Sequence, residues 1–341
     1  MSELLRSYLF AWIFLLGISL GSMANLMVHS LTGGRWGEPV RPAWLAATRL
    51  VPAIAILFLP ILLGAKLVYP WVEAPGRYLN LPFWTGRSIA WLLAWVILSL
   101  AFLRADRATV DPASGGSAGA RRVAAIGLIV YALTVSLAAV DWIASLTPRW
   151  YSSTFGLVIG TGQMLAGAAF GVAAAAWFSP WVAGAARPAR DEPTRLRFHD
   201  LGNILLMYVL TWAYLAYTQF LIVWSENLPH EIHWYVPRVQ TGWAGLGIFL
   251  IAFHFFLPLL ILLSRAAKRA PGFLGAIAAG LLVAHLGEAF WLVVPTFRPD
   301  GFAISWTDPL AIVVLGALWA WAWRRSVVRI RPALASGAGR G

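Results

Sequence analysis

The chain has 341 residues, of which 60% are hydrophobic and only 12% are charged, and its mean hydropathy is +0.72. This composition lies far from that of a soluble domain and indicates a protein that resides in a lipid bilayer. The net charge is +12, and the sequence contains no cysteine. The lack of cysteine excludes cysteine-ligated iron–sulfur clusters, disulfides and haem attached at a CxxCH site. Any redox cofactor is therefore held without a covalent bond or belongs to a partner.

Nine runs of roughly twenty apolar residues follow one another along the chain. About twenty such residues let a helix cross the hydrocarbon core while it satisfies its own backbone hydrogen bonds. The runs predict an all-α, polytopic membrane protein with about nine transmembrane helices. We place the helices at residues 8–30, 43–63, 87–103, 122–146, 153–177, 200–225, 241–264, 272–296 and 306–323.

The first run also has the basic residue, apolar centre and small-residue end of a signal peptide. Its apolar stretch continues through Asn25 to Val28 without a break, so we prefer a retained helix. In the fifth run, glycines recur at the GxxxG spacing that lets helix backbones approach closely. The glycines with this spacing are Gly156, Gly160, Gly167 and Gly171.

The connection at 180–197 is rich in proline, arginine and small residues, which predicts a loop. We interpret residues 1–341 as a single integral membrane domain that this linker divides into two helical halves. The first half covers 1–179, the second covers 198–325, and a basic tail follows at 326–341.

Basic residues concentrate in alternate connections. One side of the predicted topology holds 18 of the 26 Lys and Arg residues and the other holds seven, with Arg49 inside a span. The positive-inside rule places the richer side in the cytoplasm. The C-terminus is therefore predicted to be cytoplasmic and the N-terminus to lie outside. This distribution explains the positive charge by membrane topology. We therefore expect the chain to contact the lipid bilayer and not to bind nucleic acid.

Few ionisable residues fall within the predicted spans. A charged group near the bilayer centre costs on the order of 2.5–3.5 kcal/mol, so each one needs a partner or a function. His285 and Glu288 are three residues apart on one face of the eighth span, and His254 lies at a similar depth in the seventh. Together with Asp141 in the fourth span, they are candidates for a proton path, since buried carboxylates and histidines can exchange protons where water is scarce.

Further candidates for this path lie near the inner ends of the predicted spans. They are His29, Arg49, His199 and Asp200. The alternative for all eight residues is that they pair with one another and hold helices together. A b-type haem between His254 and His285 is a further alternative. The HxxE pair alone does not make a di-iron site, and no residue pattern predicts a metal.

Hydrogen-bonding side chains on the fifth and sixth spans could hold the head group of a quinone. The candidates are Gln163, Tyr214, Tyr217 and Gln219, with Tyr208 and Thr218 beside them. The alternative is that such groups bond only to neighbouring helices.

Several blocks of the sequence resemble a known family. The specific block is residues 198–238, FHDLGNILLMYVLTWAYLAYTQFLIVWSENLPHEIHWYVPR. The resemblance is more diffuse in residues 17–37, GISLGSMANLMVHSLTGGRWG. Further matching blocks are 46–64, 67–71, 78–84 and 253–265. Together they resemble the quinone-binding subunit 2 of alternative complex III, usually called ActF, among the NrfD-like and polysulfide-reductase-like membrane anchors.

The resemblance implies a subunit of a respiratory quinol:cytochrome c oxidoreductase in the bacterial inner (cytoplasmic) membrane. It implies a fold of two four-helix bundles with flanking helices. It also implies that haem and iron–sulfur centres sit in partner subunits, namely a multihaem cytochrome c, an iron–sulfur subunit and a homologous NrfD-like subunit. The family generally has ten spans, whereas we count nine here, which we attribute to a missing first helix or a late start codon.

The sequence thus predicts a membrane subunit that takes part in quinol-linked electron transfer and carries no cofactor covalently. Its expected roles are quinol interaction, proton conduction or both. The alternatives are a proton-coupled secondary transporter and a purely structural anchor of the complex. We see no inverted repeat of the kind that many transporters contain.

Overall fold

The computed structural model describes residues 1–109, 111–178 and 191–338. Within these ranges it is all-helical, with no strand, and nine helical segments are long and apolar enough to cross a membrane. The predicted fold class is therefore confirmed. The segments are Ser2–Thr32 (α1), Arg41–Leu63 (α2), Leu81–Asp106 (α3), Ala118–Leu146 (α4), Phe155–Trp177 (α5), Glu192–Glu226 (α6), Trp243–Leu262 (α7), Pro271–Thr296 (α8) and Thr307–Ile330 (α9).

Most of these helices extend beyond the apolar runs, and polar side chains cap the start of α3, α4 and α6. Helix α6 begins at Glu192, where the predicted span began at residue 200, and the Asp191 side chain accepts a 3.2 Å hydrogen bond from the Thr194 amide. Asn80 caps α3 in the same way by accepting from Phe83, at 3.0 Å. Such caps satisfy amides that have no partner inside the helix. Residues 180–190 of the predicted linker lie outside the described residues, and the loop prediction was wrong for residues 192–197, which form the start of α6.

Two of the membrane segments are not regular α-helices. Helix α2 consists of three short pieces, Arg41–Thr48, Val51–Ile56 and Leu59–Leu63, and a proline stands at the start of each. Proline lacks an amide hydrogen and clashes with the preceding turn, so it interrupts the backbone ladder. Helix α7 changes to a π-helix over Ile251–Phe256 and returns to an α-helix at Leu257–Leu262.

Helix α1 lies at the centre of the molecule and contacts α2, α4, α5, α8 and α9. Helices α1 to α4 pack as one four-helix bundle, and α5 to α8 pack as a second, joined to the first mainly through α1 and α5. Helix α9 flanks the first bundle, against α1 and α2. This is the two-bundle arrangement that the resemblance implies.

Helices α1 and α5 approach each other closely at glycine residues. A Cβ atom added at Gly21 would overlap the backbone oxygen of Gln163, and one added at Gly167 would overlap the backbone of Gly21. Asn25 links the two helices by hydrogen bonds, since its side-chain amide nitrogen donates to the Gly21 carbonyl of α1 and to the Met164 carbonyl of α5, both at 2.8 Å. The predicted close approach of α5 is thus confirmed at Gly167.

The other glycines of the α5 pattern differ from one another. A Cβ atom at Gly156 would overlap Ser136, and one at Gly171 would overlap the Trp44 ring, so both positions require glycine. At Gly160 the nearest atom to an added Cβ is a Val135 methyl at 3.7 Å, an ordinary contact. Gly160 therefore lies in the repeat without being needed for packing.

Gly167→Ala is therefore expected to destabilise the protein by about 1–3 kcal/mol, because the added methyl group forces two backbones apart. Thermal unfolding of the purified chain in detergent, followed by tryptophan fluorescence, measures the change. Gly160→Ala is the matched control on the same helix, and it should be neutral or slightly stabilising, since alanine is the better helix former. Equal effects of the two substitutions would contradict the packing that we describe.

Several tryptophans near the ends of the spans, where rings often anchor in the headgroup region, are instead buried inside the protein. Trp142, Trp150 and Trp234 are each less than 5% exposed. Trp150 and Trp234 stack with ring centroids 4.7 Å apart, and they join the α4–α5 connection to the one between α6 and α7. These three residues therefore pack in the interior and are not interfacial anchors. Trp177 and Trp224, by contrast, are exposed at helix ends, as interfacial residues would be.

Arg238 fixes the connection between α6 and α7 onto the end of α8. Its guanidinium donates to the carbonyls of Trp234, Trp291 and Leu292 at 2.7 to 3.2 Å and packs 3.8 Å from the Trp234 ring centroid. Burial lowers the pKa of Arg238 to about 9, which still leaves the group charged at neutral pH. A cation beside the last carbonyls of a helix is favourable. Arg238 therefore helps to hold α8 in place.

Arg238→Met is expected to lower the free energy of unfolding by about 3 kcal/mol, because it leaves buried carbonyl groups without donors. Arg77→Met removes an exposed arginine near the same end of the bundle and should have almost no effect. The midpoint of unfolding in detergent distinguishes the two variants. A small change for Arg238→Met would mean that the loop docks without this side chain.

Candidate functional site

Three of the ionisable residues predicted within the membrane meet between α7 and α8. His285 Nδ1 lies 2.8 Å from Glu288 Oε2, and His254 Nδ1 lies 3.9 Å from the same oxygen. His254, His285 and Glu288 are 0%, 7% and 3% exposed, so the cluster lies in the protein interior. The three residues that share a helix face or a similar depth in the sequence thus form one cluster.

Each element places its residue for a local reason. His285 and Glu288 are three residues apart on the regular helix α8, so their side chains leave the same face. His254 lies in the π-helical part of α7. Pro258 has no amide hydrogen to give to the His254 carbonyl four residues earlier, which interrupts the regular ladder at this point. Single π turns inside α-helices are frequent at functional sites.

A tryptophan and two glycines complete the cluster. Trp212 Nε1 on α6 donates a 2.6 Å hydrogen bond to Glu288 Oε1, and the Trp212 ring lies 4.2 Å from the His254 ring. A Cβ atom at Gly162 of α5 would lie 3.3 Å from Glu288 Oε2, and one at Gly17 of α1 would lie 3.2 Å from His285 Nε2. The two glycines make room for the acid and the imidazole.

His254 is the least satisfied member of the cluster. Both of its ring nitrogens are buried, and neither has a hydrogen-bond partner among the described residues. An unpaired buried polar group costs on the order of 1–3 kcal/mol, so its presence calls for an explanation. The Glu288 carboxylate lies just beyond hydrogen-bond distance of Nδ1. A small movement of either side chain would therefore connect His254 to Glu288 and, through it, to His285.

The geometry does not fit a haem between the two histidines. Their ring centroids are 6.2 Å apart, but the Glu288 carboxylate lies against both imidazoles and would occupy the place of the iron. One donor atom from each of the three residues lies within 4.8 Å of the others, close enough to hold a small divalent cation. Two of these three ligand atoms, one from His285 and one from Glu288, already form a hydrogen bond with each other. The arrangement therefore suits a proton that is shared between the imidazole and the carboxylate.

The candidates for quinone contact do not come together. Gln163 is buried in the centre, where its side-chain oxygen accepts a 3.0 Å hydrogen bond from Tyr131. Gln219 is buried near the C-terminal end of α6 and donates a 3.1 Å hydrogen bond to the Tyr235 hydroxyl. Tyr214 and Tyr217 are 68% and 62% exposed on the outer surface of α6. Tyr208 is again buried and donates to Asn25 at 2.8 Å.

Asp141 lies apart from the cluster in a buried ion pair with Arg87. The Arg87 guanidinium donates to both carboxylate oxygens, with a shortest distance of 2.7 Å, and Trp91 Nε1 donates to the same carboxylate at 3.0 Å. The rings of Tyr78 and Phe83 flank the guanidinium at 3.8 and 4.2 Å. This geometry favours the structural interpretation of Asp141, which joins α3 to α4.

The four candidates at the inner helix ends also lie apart from the cluster. His29 Nε2 is 2.9 Å from the Gly34 carbonyl, and its ring packs edge-on against Trp36. His199 lies 3.4 Å from Asn203 and 3.7 Å from Asp200, which is more than half exposed. Arg49 is exposed at a break in α2. The contacts of His29, His199 and Asp200 suit the pairing of side chains near an interface.

Sequence reasoning missed partners that the fold brings to the predicted residues. Trp212 gave no signal, because it is one of 20 tryptophans in the chain. Arg87 was counted only for topology, although it neutralises Asp141. Arg41 and Asp106 form a second buried pair, with a 2.6 Å contact between α2 and the end of α3. These contacts join residues that are far apart in the sequence, so they could be identified only once the packing of the helices was known.

The fold and the site together define a multi-pass helical membrane protein with a buried acid–histidine cluster. Searches against models of known protein families and against curated proteins find no match.

Proposed function

We propose that this chain is an integral membrane subunit of a respiratory quinol:cytochrome c oxidoreductase and that it conducts protons through His254, His285 and Glu288. The observation that carries the proposal is the buried carboxylate of Glu288, which lies against two imidazoles and an indole N–H at the junction of five helices. A carboxylic acid is expensive to keep inside a membrane, and proton relays are a common reason for its presence.

The place of the chain in an electron-transfer complex is supported by the sequence blocks that resemble the quinone-binding subunit of alternative complex III. In this proposal haem and iron–sulfur centres belong to a multihaem cytochrome c and an iron–sulfur partner. Quinol is oxidised within the assembly, and Tyr214 and Tyr217, which are exposed on α6, are available for contact with a quinone or a second NrfD-like subunit. The complex lies in the bacterial inner membrane, with the C-terminus of this chain in the cytoplasm.

Purification of a tagged chain from its native membrane in a mild detergent tests the assignment to a complex. We expect mass spectrometry to identify a multihaem cytochrome and an iron–sulfur protein in the sample, and we expect an absorption spectrum with c-type haem bands. A colourless chain that purifies alone would contradict the respiratory assignment and favour a proton-coupled transporter. Substitutions in the cluster then separate proton conduction from a purely structural role.

A further inference from the structure

The end of α9 carries a concentration of positive charge that the proposed function does not use. The helix continues to Ala338, and from Pro309 to Ala338 it contains no Asp or Glu. Arg324, Arg325 and Arg329 follow directly after its apolar part, and all three are exposed. They lie where the membrane segment ends, which is the level of the lipid headgroups.

These arginines line an open groove of about 390 Å³. Trp321 and Val328 supply its apolar lining, and Arg324, Arg325 and Arg329 supply the polar lining. The Arg325 guanidinium lies 4.1 Å from the centroid of the Trp321 ring, a cation–π distance that holds the charge over the groove. Trp321 lies one turn before Arg324 and Arg325 on the same helix, so the groove suits a ligand that is itself both apolar and anionic.

Two further arginines bring their charge to the same region from other helices. The charges of Arg107, after α3, and Arg329, on α9, both act on the guanidinium of Arg49 in α2. Among the residues that the structure describes, neither Arg49, Arg107 nor Arg329 forms an ion pair. Other arginines at this end of the bundle do have carboxylate partners. They are Arg41 with Asp106, Arg197 with Glu38 and Arg269 with Glu192.

The charges of Arg107 and Arg329 both repel the guanidinium of Arg49, and an anion bound among these groups would relieve the repulsion. Guanidinium groups bind phosphate with paired, charge-assisted hydrogen bonds, and basic pockets of this kind bind lipid headgroups at the cytoplasmic surface of membranes. We propose that Arg49, Arg325 and Arg329, supported by Arg107, bind the phosphate of an anionic phospholipid whose acyl chains lie along Trp321. This site is independent of the proposed respiratory role.

Titration of the full-length chain in detergent with dioctanoyl phosphatidylglycerol, with bound lipid counted by native mass spectrometry, tests this proposal. The double variant Arg49→Gln/Arg329→Gln is expected to bind the lipid on the order of 30-fold more weakly, from about a fivefold loss for each basic side chain. The matched control is Arg195→Gln/Arg265→Gln. It removes two exposed arginines from the second bundle at the same end and should leave binding unchanged.

Dioctanoyl phosphatidylcholine and inorganic phosphate serve as comparison ligands in the same binding measurement. We expect the zwitterionic lipid to bind more weakly than phosphatidylglycerol and inorganic phosphate not to displace it. Inorganic phosphate that binds as tightly as the lipid would indicate a free-anion site and overturn the proposal. Equal losses in the two double variants would also overturn it, because binding would then depend on total charge. If the first variant does not fold, Arg325→Gln tests the same site, with an expected loss of about fivefold.

Discussion

Glu288→Gln in the assembled complex is expected to stop quinol-driven proton translocation while the chain remains folded. The amide has the volume of the carboxylate and still accepts the 2.6 Å hydrogen bond from Trp212, but it cannot take up a proton at neutral pH. A positioned acid or base contributes about 10²–10⁴-fold to a proton-transfer step, so we expect the rate to fall at least about 100-fold. The measurement uses the complex in liposomes, with a pH-sensitive dye inside and quinol and cytochrome c outside.

Glu226→Gln makes the same chemical change at the exposed end of α6 and should leave the rate unchanged. His254→Gln provides a second test, because it removes the unpaired imidazole and leaves the bonds of Glu288 to His285 and Trp212 in place. We expect it to slow translocation without loss of the folded protein. Normal translocation in both Glu288→Gln and His254→Gln would contradict a proton path through the cluster and favour a structural role.

Arg87→Met is expected to have the largest effect on stability, a loss of about 3–5 kcal/mol, because it leaves the Asp141 carboxylate buried without a cation. Asp141 is 0% exposed, so water cannot replace the lost guanidinium. The substitution also removes the contacts that Arg87 makes with the rings of Tyr78 and Phe83. The midpoint of thermal unfolding of the purified chain measures the loss.

Glu192→Gln breaks the exposed pair that Glu192 forms with Arg269 and should cost less than about 1 kcal/mol, as exposed ion pairs contribute little. Asp141→Asn distinguishes the two interpretations of Asp141. A structural role predicts lower stability with normal proton translocation in the molecules that fold. A stable Asp141→Asn variant that no longer translocates protons would place this residue on the path.

The spans were predictable because a membrane helix is specified mainly by its own apolar length, and length can be counted in the sequence. The breaks in α2 are also a local property of the sequence, because each proline interrupts the helix at its own position. The π-helix in α7 was not predictable, because Pro258 can interrupt a helix as a kink, a break or a wider turn, and packing against α6 and α8 decides among these.

The site was predictable only where its members share a helix or a depth. His285 and Glu288 share a face of α8, and His254 could be placed by depth, so their meeting followed from simple geometry. The pairing of Asp141 with Arg87 did not, because Arg87 stands near a predicted boundary where a basic residue has an ordinary topological explanation. The scatter of Tyr214, Tyr217 and Gln219 along α6 shows that hydrogen-bonding groups close in sequence on one helix need not share a face.

The π-helix also determines the rotational register of α7. The buried residues Leu250, His254, Pro258 and Leu262 recur at every fourth position. In a regular α-helix each residue turns the chain by about 100°, so a four-residue step overshoots a full turn by about 40° and three steps drift by roughly a third of a turn. A wider turn at Ile251–Phe256 takes up part of this drift, so that Leu250 and Leu262 face the bundle together with His254. Deletion of one residue from this segment would rotate one part of α7 by about 100° relative to the other and turn either the histidine or the end of the helix toward lipid.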